Sequence, residues 1–539
     1  MDKKSTIWIL LALTALFMSM PYLIPHCGFF ALFGLVPLLC AEKIATDTRQ
    51  KFFWLQYYLC FTVWNFITTF WVCNATIGGG IFAATANALQ MAVVFGVFRI
   101  SKKHYKGALP YIFLMCAWIA WERYYFTTAQ ISWPWLVFGN AFARSIRCIQ
   151  WYEYTGTLGG SLWVWATNLS IFGMMSALAD GRFFVKWNPI AKIASIIGTA
   201  VVFIAPFIWS AVIWNRYEEK ENPLDFLIVQ PNFDPYTKFE SMTQAAQNQV
   251  LMDMVDEALS GEQSDEPLVI LAPETFTSDI ITNDITGSKS WQSYLSMLQD
   301  HRNANLMFGA SSWEYIESRY APSYTARKTG TDGLWYESHN SALMMNCTGE
   351  TSIFHKSKLV VGTELMPYPK FFSKVDKKLG GVMAHCIGQP EISLLNYHSE
   401  DGMTEIPLGC AVCYESIYGE YCTGYVQKGA QALAVITNDA WWGNTPGYRQ
   451  HCSYSSLRAI ETRRSIARCA NTGISCFIDQ KGRIVEKSQW WERQTLRGSI
   501  NLNDRYTWFV IHGDIIGRIS TFLFLLLFLS LGVRFITRR

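Results

Sequence analysis

Long apolar stretches without charged residues dominate the first part of the chain. The stretch from Ser5 to Ala41 contains no Asp, Glu, Lys or Arg, and Pro21 and Pro25 interrupt it, which predicts two short membrane-spanning helices joined by a tight turn. A second uncharged stretch, residues 52–98, breaks near 74–80 and predicts two more spans. Further candidates of about 20 residues, the length that a bilayer core requires, lie near 108–126, 158–179, 193–214 and 515–533. The pattern therefore predicts eight transmembrane helices.

Lysine and arginine are concentrated in alternate loops between these spans. The loops near Pro25 and Asn74 carry neither residue type, and the loop 127–157 carries only Arg144 and Arg147. The segments on the other side carry Lys3, Lys4, Lys43, Arg49, Lys51, Arg99, Lys102, Lys103, Lys106, Arg182, Lys186, Lys192, Arg534, Arg538 and Arg539. Because loops rich in Lys and Arg stay in the cytoplasm, both termini are expected there. The domain between the seventh and eighth spans is then expected to be extracytoplasmic.

Short apolar runs alternate with helical patterns between the seventh and eighth spans. Asp225–Gln230 and Leu268–Ala272, for example, have the length and composition of buried strands. Strands that alternate with helices predict an α/β fold. The predicted organisation is transmembrane helices 1–7 in residues 1–214, an α/β domain in 215–505, and the eighth helix with a cytoplasmic C-terminus in 506–539.

Composition agrees with a membrane protein and argues against some partners. Only 16% of the 539 residues are charged and 50% are hydrophobic, whereas soluble proteins carry about a quarter charged residues. The net charge of +3 and the lack of a Lys/Arg-rich run argue against nucleic acid. Cys410 and Cys413 form a Cys-x-x-Cys pair, but no second such pair or His pair accompanies it. Neither a metal site nor another cofactor is predicted.

The main chemical signal is Cys413, which ends an apolar, strand-like run and precedes Tyr414. A cysteine attacks as its thiolate, so it needs a lowered pKa or a neighbouring base. Glu274, at the end of another predicted strand, can take the thiol proton. Lys356 and the backbone N–H of Tyr414 can stabilise the oxyanion of an attacked acyl group. Singly, such residues are usually a helix cap, a surface lysine and an inert packing cysteine. Their combination predicts a catalytic triad.

The chain order Glu, Lys, Cys resembles the nitrilase (carbon–nitrogen hydrolase) superfamily. The resemblance implies that the extracytoplasmic α/β domain is a nitrilase-like four-layer α-β-β-α sandwich, mounted here on an eight-helix transmembrane bundle. A hydrolase of small soluble amides has no need of eight transmembrane helices, so this arrangement favours a lipid substrate.

With its eight predicted spans, the chain looks like the family of bacterial apolipoprotein N-acyltransferases over nearly its whole length. The lysine motif of that family runs Lys-x-x-Leu-Val-Pro-Phe-Gly-Glu. The segment from Lys356 to Glu364 keeps this spacing, although Val361-Gly362-Thr363 replaces the Pro-Phe-Gly centre. The other matching blocks are Trp133-Pro134-Trp135-Leu136, Cys413-Tyr414-Glu415, Asn438 to Gly443, Arg458-Ala459-x-Glu461 and Asn471-Thr472-Gly473.

The resemblance also implies roles for residues around the triad. Glu364 and Glu415 are expected to orient the catalytic lysine and tune the pocket, although a core glutamate paired with a lysine would give the same sequence. Trp441 and Trp442 are expected to form a mobile lid over acyl chains, and Trp135 is a further expected substrate contact. The alternative for these tryptophans is interfacial anchoring or ordinary packing.

The implied reaction is a ping-pong acyl transfer, the last step of lipoprotein maturation. Cys413 would take an acyl chain from a phospholipid as a thioester and pass it to the α-amine of a diacylglyceryl-cysteine on an apolipoprotein. The implied location is the bacterial inner membrane, with the catalytic domain on the periplasmic side. One alternative is a membrane-tethered amidase that hydrolyses its thioester. Another is a transporter or receptor with an inactive nitrilase-like domain, which predicts polar residues inside the spans; the sequence has almost none.

Overall fold

The chain folds into two compact units. The computed structural model describes residues 2–261, 264–378 and 386–537. The first unit, here called the helical unit, comprises the described residues up to Tyr217, the segment Thr445–Ser453 and the described residues from His512 onward. The second, the α/β unit, comprises the described residues within Glu218–Asn444 and Tyr454–Ile511.

The α-helices are numbered in chain order through both units. They are α1 (Lys3–Leu23), α2 (Val36–Asp47), α3 (Phe53–Thr69), α4 (Val72–Ala75), α5 (Ile77–Ser101), α6 (Leu109–Thr127), α7 (Tyr152–Ala179), α8 (Arg182–Val185), α9 (Pro189–Arg216), α10 (Pro235–Glu240), α11 (Gln244–Leu259), α12 (Lys289–Asp300), α13 (Pro369–Lys378), α14 (Gly419–Gln427), α15 (Pro446–Thr462), α16 (Trp508–His512) and α17 (Ile515–Thr537).

Each apolar segment that the sequence predicts to cross a membrane falls on a helix. Six helical segments of the described chain are long and apolar enough to do so, namely α1, Gly28–Asp47, α5, α7, α9 and α17. The other two predicted spans fall on α3, which has 17 residues, and on α6, which carries Glu122 and Arg123. Several membrane-capable helices are therefore established, and the count of eight stays a prediction. Arg538 and Arg539, part of the predicted charge pattern, lie outside the described residues.

A few buried polar side chains link helices of the helical unit. The Asn87 side chain donates to Asn65 Oδ1 at 2.7 Å, and the Tyr125 hydroxyl donates to Asn87 Oδ1 at 2.7 Å. Glu122 Oε1 accepts the backbone N–H of Phe138 at 2.9 Å. Interhelical bonds of this kind hold apolar helices together. These polar side chains therefore serve packing within the helical unit.

Two β-sheets form the centre of the α/β unit. Their strands are β1 (Pro223–Gln230), β2 (Leu268–Leu271), β3 (Thr277–Ile281), β4 (Ala304–Glu317), β5 (Arg327–Lys328), β6 (Leu334–Met345), β7 (Thr351–His355), β8 (Leu395–His398), β9 (Glu405–Val412), β10 (Ala432–Thr437), β11 (Ile466–Ala470), β12 (Cys476–Ile478), β13 (Ile484–Lys487) and β14 (Gln494–Asn501). The first sheet has the order β14-β1-β2-β4-β6-β5, with β3 paired to β4 and β7 to β6. The second has the order β13-β12-β11-β10-β9-β8.

The layers follow from which faces of the sheets are covered. Helices α11 and α12 share one apolar core with β1, β2 and β4 of the first sheet. Helix α14 lies on the second sheet, where the Tyr425 hydroxyl donates to the Cys410 carbonyl at 2.8 Å. The sheets meet at β1 and β11, where Cys469 Sγ donates to the Val229 carbonyl at 3.2 Å. This is the predicted α-β-β-α sandwich.

Strand ends place the polar residues that matter for chemistry. Strands β1, β2 and β4 run parallel, as do β9, β10 and β11. Glu274 comes soon after β2, Cys413 and Asn438 directly follow β9 and β10, and Lys356 directly follows β7. Open α/β folds hold their ligands beyond the carboxyl ends of parallel strands.

Gly309 in β4 permits the close approach of the turn that carries Glu274. A Cβ at this position would lie 2.6 Å from both Glu274 Cα and the Thr275 backbone nitrogen. Gly309→Ala must therefore shift backbone, and we expect a loss of about 1–3 kcal/mol in the free energy of unfolding. Thermal unfolding of the detergent-solubilised protein measures it. Gly330→Ala, where nothing lies within 4 Å of the new Cβ, is the control. Equal melting temperatures for the two variants would contradict the expectation.

Candidate active site

Cys413 stands at the end of β9 in a strained backbone conformation. Its φ of 52° lies in the left-handed region, which costs a non-glycine residue about 1–3 kcal/mol. A 3₁₀ turn over Cys413–Ile417 follows directly. The Val412 N–H donates to Glu415 Oε2 at 2.9 Å, and the Ser416 hydroxyl donates to the Cys413 carbonyl at 2.7 Å. These bonds fix the turn that holds Cys413, a half-buried residue, at the end of a buried strand.

The carboxylate of Glu274 is buried and receives hydrogen bonds on both oxygens. Its Oε1 accepts from Lys356 Nζ at 3.1 Å and from Asn340 Nδ2 at 2.7 Å. Its Oε2 accepts the backbone N–H of Asn438 at 3.1 Å. These donors come from the loop after β7, from β6 and from the turn after β10, so three segments fix the position of one carboxylate.

Lys356 is fully buried between two carboxylates. Its Nζ lies 3.1 Å from Glu274 Oε1 and 2.9 Å from Glu364 Oε1. Burial by itself lowers the pKa of Lys356, but the charges of Glu274 and Glu364 outweigh it and hold that pKa well above its usual range. Lys356 is therefore an ammonium ion at neutral pH. Its backbone N–H donates to the Asn340 carbonyl at 2.8 Å, which ties the lysine to β6.

The altered loop before Glu364 still delivers this carboxylate to the lysine. Gly362 has a φ of +88°, which a glycine adopts without strain, and its N–H donates to the Leu365 carbonyl at 2.9 Å. Glu364 Oε2 accepts the Val360 N–H at 2.7 Å, and Oε1 accepts from Asn340 Nδ2 at 2.7 Å. A tight turn around Gly362 thus serves where the related motif has Pro-Phe-Gly.

Glu415 joins the cysteine turn to the segment after the lysine. It is fully buried, and its Oε1 accepts the backbone N–H groups of Ser357 at 2.7 Å and Lys358 at 3.1 Å. The Tyr421 hydroxyl donates to the same oxygen at 2.7 Å. Burial raises the pKa of Glu415, and the hydrogen bonds oppose the rise. Glu415 thus bonds to the backbone that directly follows Lys356, and its expected role of orienting this lysine stays a prediction.

The resting state of Cys413 is a protonated thiol. Burial first, and the neighbouring charge of Glu274 second, raise the pKa of Cys413 well above its usual value, while the Lys356 cation lowers it. A thiol in this state needs a base at the moment of attack, and Glu274 is the carboxylate whose charge acts most strongly on it.

The tryptophan pair lies on a turn of the α/β unit. Trp441 and Trp442 end the 3₁₀ turn Asp439–Trp442 after β10. The Trp441 side chain is 37% exposed, and its ring meets the Tyr236 ring edge-on at 6.0 Å between centroids. Tyr414 is buried beside the cysteine and packs edge-on against Tyr418. Exposure of Trp441 is compatible with a lid, and that role stays a prediction.

Trp135 belongs to the helical unit and is buried there. Its indole N–H donates to Gln450 Oε1 at 2.7 Å, and its ring stacks on Trp133 at 5.6 Å and lies 4.9 Å from Trp71. These contacts fit the packing alternative for this residue, and contact with a substrate stays a prediction.

Sequence reasoning missed three residues of the site. Asn340 bonds to both carboxylates beside the lysine, and its only signal was a polar residue at the start of the apolar run of β6. Asn438 lies in one of the matching sequence blocks, which gives no sign of its backbone bond to Glu274. Lys238 is buried in α10 and donates to the Thr275 carbonyl at 2.7 Å. Burial lowers the pKa of Lys238 to about 7, against the opposing charge of Glu274.

Comparison with known families agrees with this geometry. The sequence pattern of the carbon–nitrogen hydrolases matches residues 228–509. The chain therefore belongs to the carbon–nitrogen hydrolase family, the class that its sandwich and its Glu-Lys-Cys site indicate. Residues 12–170 match the N-terminal domain of apolipoprotein N-acyltransferases. The resemblance found in the sequence is thus confirmed in both halves of the chain.

Two relatives match this chain over most of its length and most of their own. The apolipoprotein N-acyltransferase of Chlorobaculum tepidum is 26% identical over 499 residues, which cover 91% of this chain and 89% of that protein. The apolipoprotein N-acyltransferase of Geobacter metallireducens is 22% identical over 83% of this chain and 79% of its own. Among solved structures, Saccharomyces cerevisiae Nit3 of the nitrilase superfamily is 15% identical over 53% of this chain and 93% of its own, with a TM-score of 0.37.

The charges around Cys413 predict opposite effects of two substitutions on its pKa. Glu274→Gln removes a negative charge and should lower the thiol pKa, whereas Lys356→Met removes a positive charge and should raise it. The pH dependence of alkylation by iodoacetamide, followed at Cys413 by mass spectrometry, gives the midpoints. Glu266→Gln, at an exposed position, should leave the midpoint where it is in the native protein. A midpoint that stays at the native value in Glu274→Gln would show that this carboxylate does not act on the thiol.

Proposed function

We propose that the chain transfers an acyl chain from a phospholipid to the α-amine of the N-terminal diacylglyceryl-cysteine of apolipoproteins. The proposal rests on the presence of two features in one chain. Its α/β unit holds a buried Glu-Lys cluster beside a thiol, and its apolar helices match the N-terminal domain of apolipoprotein N-acyltransferases.

In the first half-reaction, Cys413 Sγ attacks the carbonyl carbon of a phospholipid ester while Glu274 takes the thiol proton. Among the described residues, two of the three Nζ–H donors of Lys356 serve Glu274 and Glu364, which leaves the third for the tetrahedral oxyanion. The Tyr414 backbone N–H is the second oxyanion donor. The ester C–O bond breaks, the leaving oxygen takes the proton from Glu274, and a lysophospholipid departs.

In the second half-reaction, the neutral α-amine of the acceptor attacks the thioester carbonyl carbon. Glu274 takes one amine proton, the C–S bond breaks, and Cys413 recovers its proton from Glu274. An amide bond on the lipoprotein replaces the thioester. Lys356 keeps its charge throughout, because the two carboxylates beside it favour the ammonium form.

The competing function is a membrane-tethered amidase, which would pass the acyl group to water. Acyl transfer is faster than hydrolysis only if the site excludes water from the thioester. Labelled phospholipid and an acceptor peptide distinguish the two functions. An acylated peptide supports transfer, whereas free fatty acid alone supports the amidase.

A thioester on Cys413 is the specific intermediate that this proposal requires. Mixing the purified protein with phospholipid should add the mass of one acyl chain, and Cys413→Ala should abolish the adduct. Cys410→Ala removes a fully buried thiol of the same strand and should keep the adduct. Intact-mass spectrometry measures both. An adduct that persists in Cys413→Ala would rule out this cysteine as the acyl carrier.

The proposed topology places the chain in the bacterial inner membrane, with eight spans, both termini in the cytoplasm and the α/β unit in the periplasm. Two exposed positions test it, namely Met403 in the α/β unit and Val185 in α8, with exposures of 84% and 85%. In intact spheroplasts, a membrane-impermeant maleimide should label Met403→Cys above the background of the native cysteines. Val185→Cys should react only after lysis, and the reverse pattern would invert the topology.

A further inference from the structure

Two asparagines approach the carboxylate of Glu274, one at each oxygen. Asn340 donates from its side chain to Glu274 Oε1 at 2.7 Å. Asn438 donates from its backbone to Glu274 Oε2 at 3.1 Å. Both side chains are more than nine-tenths buried. The remaining polar atoms of these two side chains therefore belong to the same buried cluster as the Glu274 carboxylate.

The orientation of the Asn340 amide is fixed by its neighbours. Its Nδ2 contacts Oε1 of Glu274 and Oε1 of Glu364, both at 2.7 Å. Ionised carboxylate oxygens only accept hydrogen bonds, so both N–H groups of the amide are used there. The oxygen, Oδ1, is buried and has no hydrogen-bond partner among the described residues. Asn340 thus offers one unused acceptor.

The orientation of the Asn438 amide is fixed in the opposite sense. Its Oδ1 accepts the backbone N–H of Ala440 at 3.4 Å and the side chain of Asn471 at 3.1 Å. The Ala440 N–H can only donate, so the atom facing it must be the oxygen. Asn438 Nδ2 is buried, and none of the residues that the structure describes bonds to it. This side chain thus offers an unused donor.

Asn340 Oδ1 is an acceptor without a partner among the described residues, and Asn438 Nδ2 is such a donor. This combination fits the acceptor peptide better than it fits the phospholipid. Buried polar atoms without partners are unfavourable, so a ligand that pairs with both gains affinity. The reacting ester of a phospholipid offers oxygen acceptors alone and leaves Asn340 Oδ1 unpaired. The first residue of a peptide offers amine N–H groups and a carbonyl oxygen, which is three bonds from the amine nitrogen.

We propose that Asn340 and Asn438 bind the first residue of the acceptor peptide, with Asn340 Oδ1 accepting from the reacting amine and Asn438 Nδ2 donating to the first carbonyl. The inference rests on the proposed N-acyl transfer. Of the two hydrogens on the attacking amine, one goes to Glu274 as the C–N bond forms. The other stays on nitrogen, bonded to Asn340 Oδ1, while the C–S bond to Cys413 breaks.

The experiment compares two acceptors in the full-length protein. One is an S-diacylglyceryl-cysteine dipeptide, and the other is S-diacylglyceryl cysteamine, which keeps the amine and lacks the carbonyl. In the native protein, kcat/KM for the cysteamine should be lower by about tenfold, the size of one hydrogen bond. Asn438→Ser removes Nδ2, and its hydroxyl can still accept the Ala440 N–H. In this variant the difference should shrink to less than about threefold. Asn283→Ser, at an exposed loop position, should behave as the native protein does.

The outcomes separate this inference from the proposed function. A thioester on Cys413 and an undiminished tenfold difference in Asn438→Ser would overturn the asparagine inference alone. Equal kcat/KM for the two acceptors in the native protein would also overturn it, whether or not the variant folds. Absence of both thioester and acylated peptide in the native protein would instead overturn the proposed function.

Discussion

The structure of the site depends on one buried ammonium ion between two carboxylates. Lys356 has no exposed surface, so its charge persists only because Glu274 and Glu364 lie within 3.1 Å of it. Removal of one partner from such a buried pair typically costs about 3–5 kcal/mol, because the remaining charge is left uncompensated. The same contacts set the chemistry. Burial of Cys413 raises the pKa of its thiol most, the charge of Glu274 adds to the rise, and the Lys356 cation opposes it.

The site residues that lie at strand ends could be predicted from the sequence. Glu274 and Cys413 follow apolar runs long enough to be recognised as strands, and the lysine motif has a characteristic spacing. Asn340 could not be recognised in this way, because its contacts depend on how β4, β6 and β7 pair. An asparagine at the start of an apolar run is ordinary in sequence, and only the register places its amide between two carboxylates.

The apolar stretches of the sequence predict the helices of the helical unit. They do not predict the polar contacts between those helices and distant parts of the chain. The segment Thr445–Ser453 lies in polar sequence between two blocks of the α/β domain, yet it groups with the helical unit. Gln450 explains why. Its Oε1 accepts from the indoles of Trp135 and Trp71, and its Nε2 donates to the carbonyls of Tyr22 and Thr68, both at 3.1 Å. Those partners are more than 300 residues away in the chain, beyond the reach of any local pattern.

That segment limits how the protein can be divided. Gln450 is buried, and both ends of its side-chain amide bond to residues of the helical unit. A fragment from Glu218 to Ile511 would therefore contain Thr445–Ser453 without the indole and carbonyl groups that bind Gln450. Helix α15, which begins in this stretch, would start from an exposed, unsupported turn. Expressing the α/β unit as a soluble protein therefore requires redesign of the residues around Gln450, and truncation at two positions would not be enough.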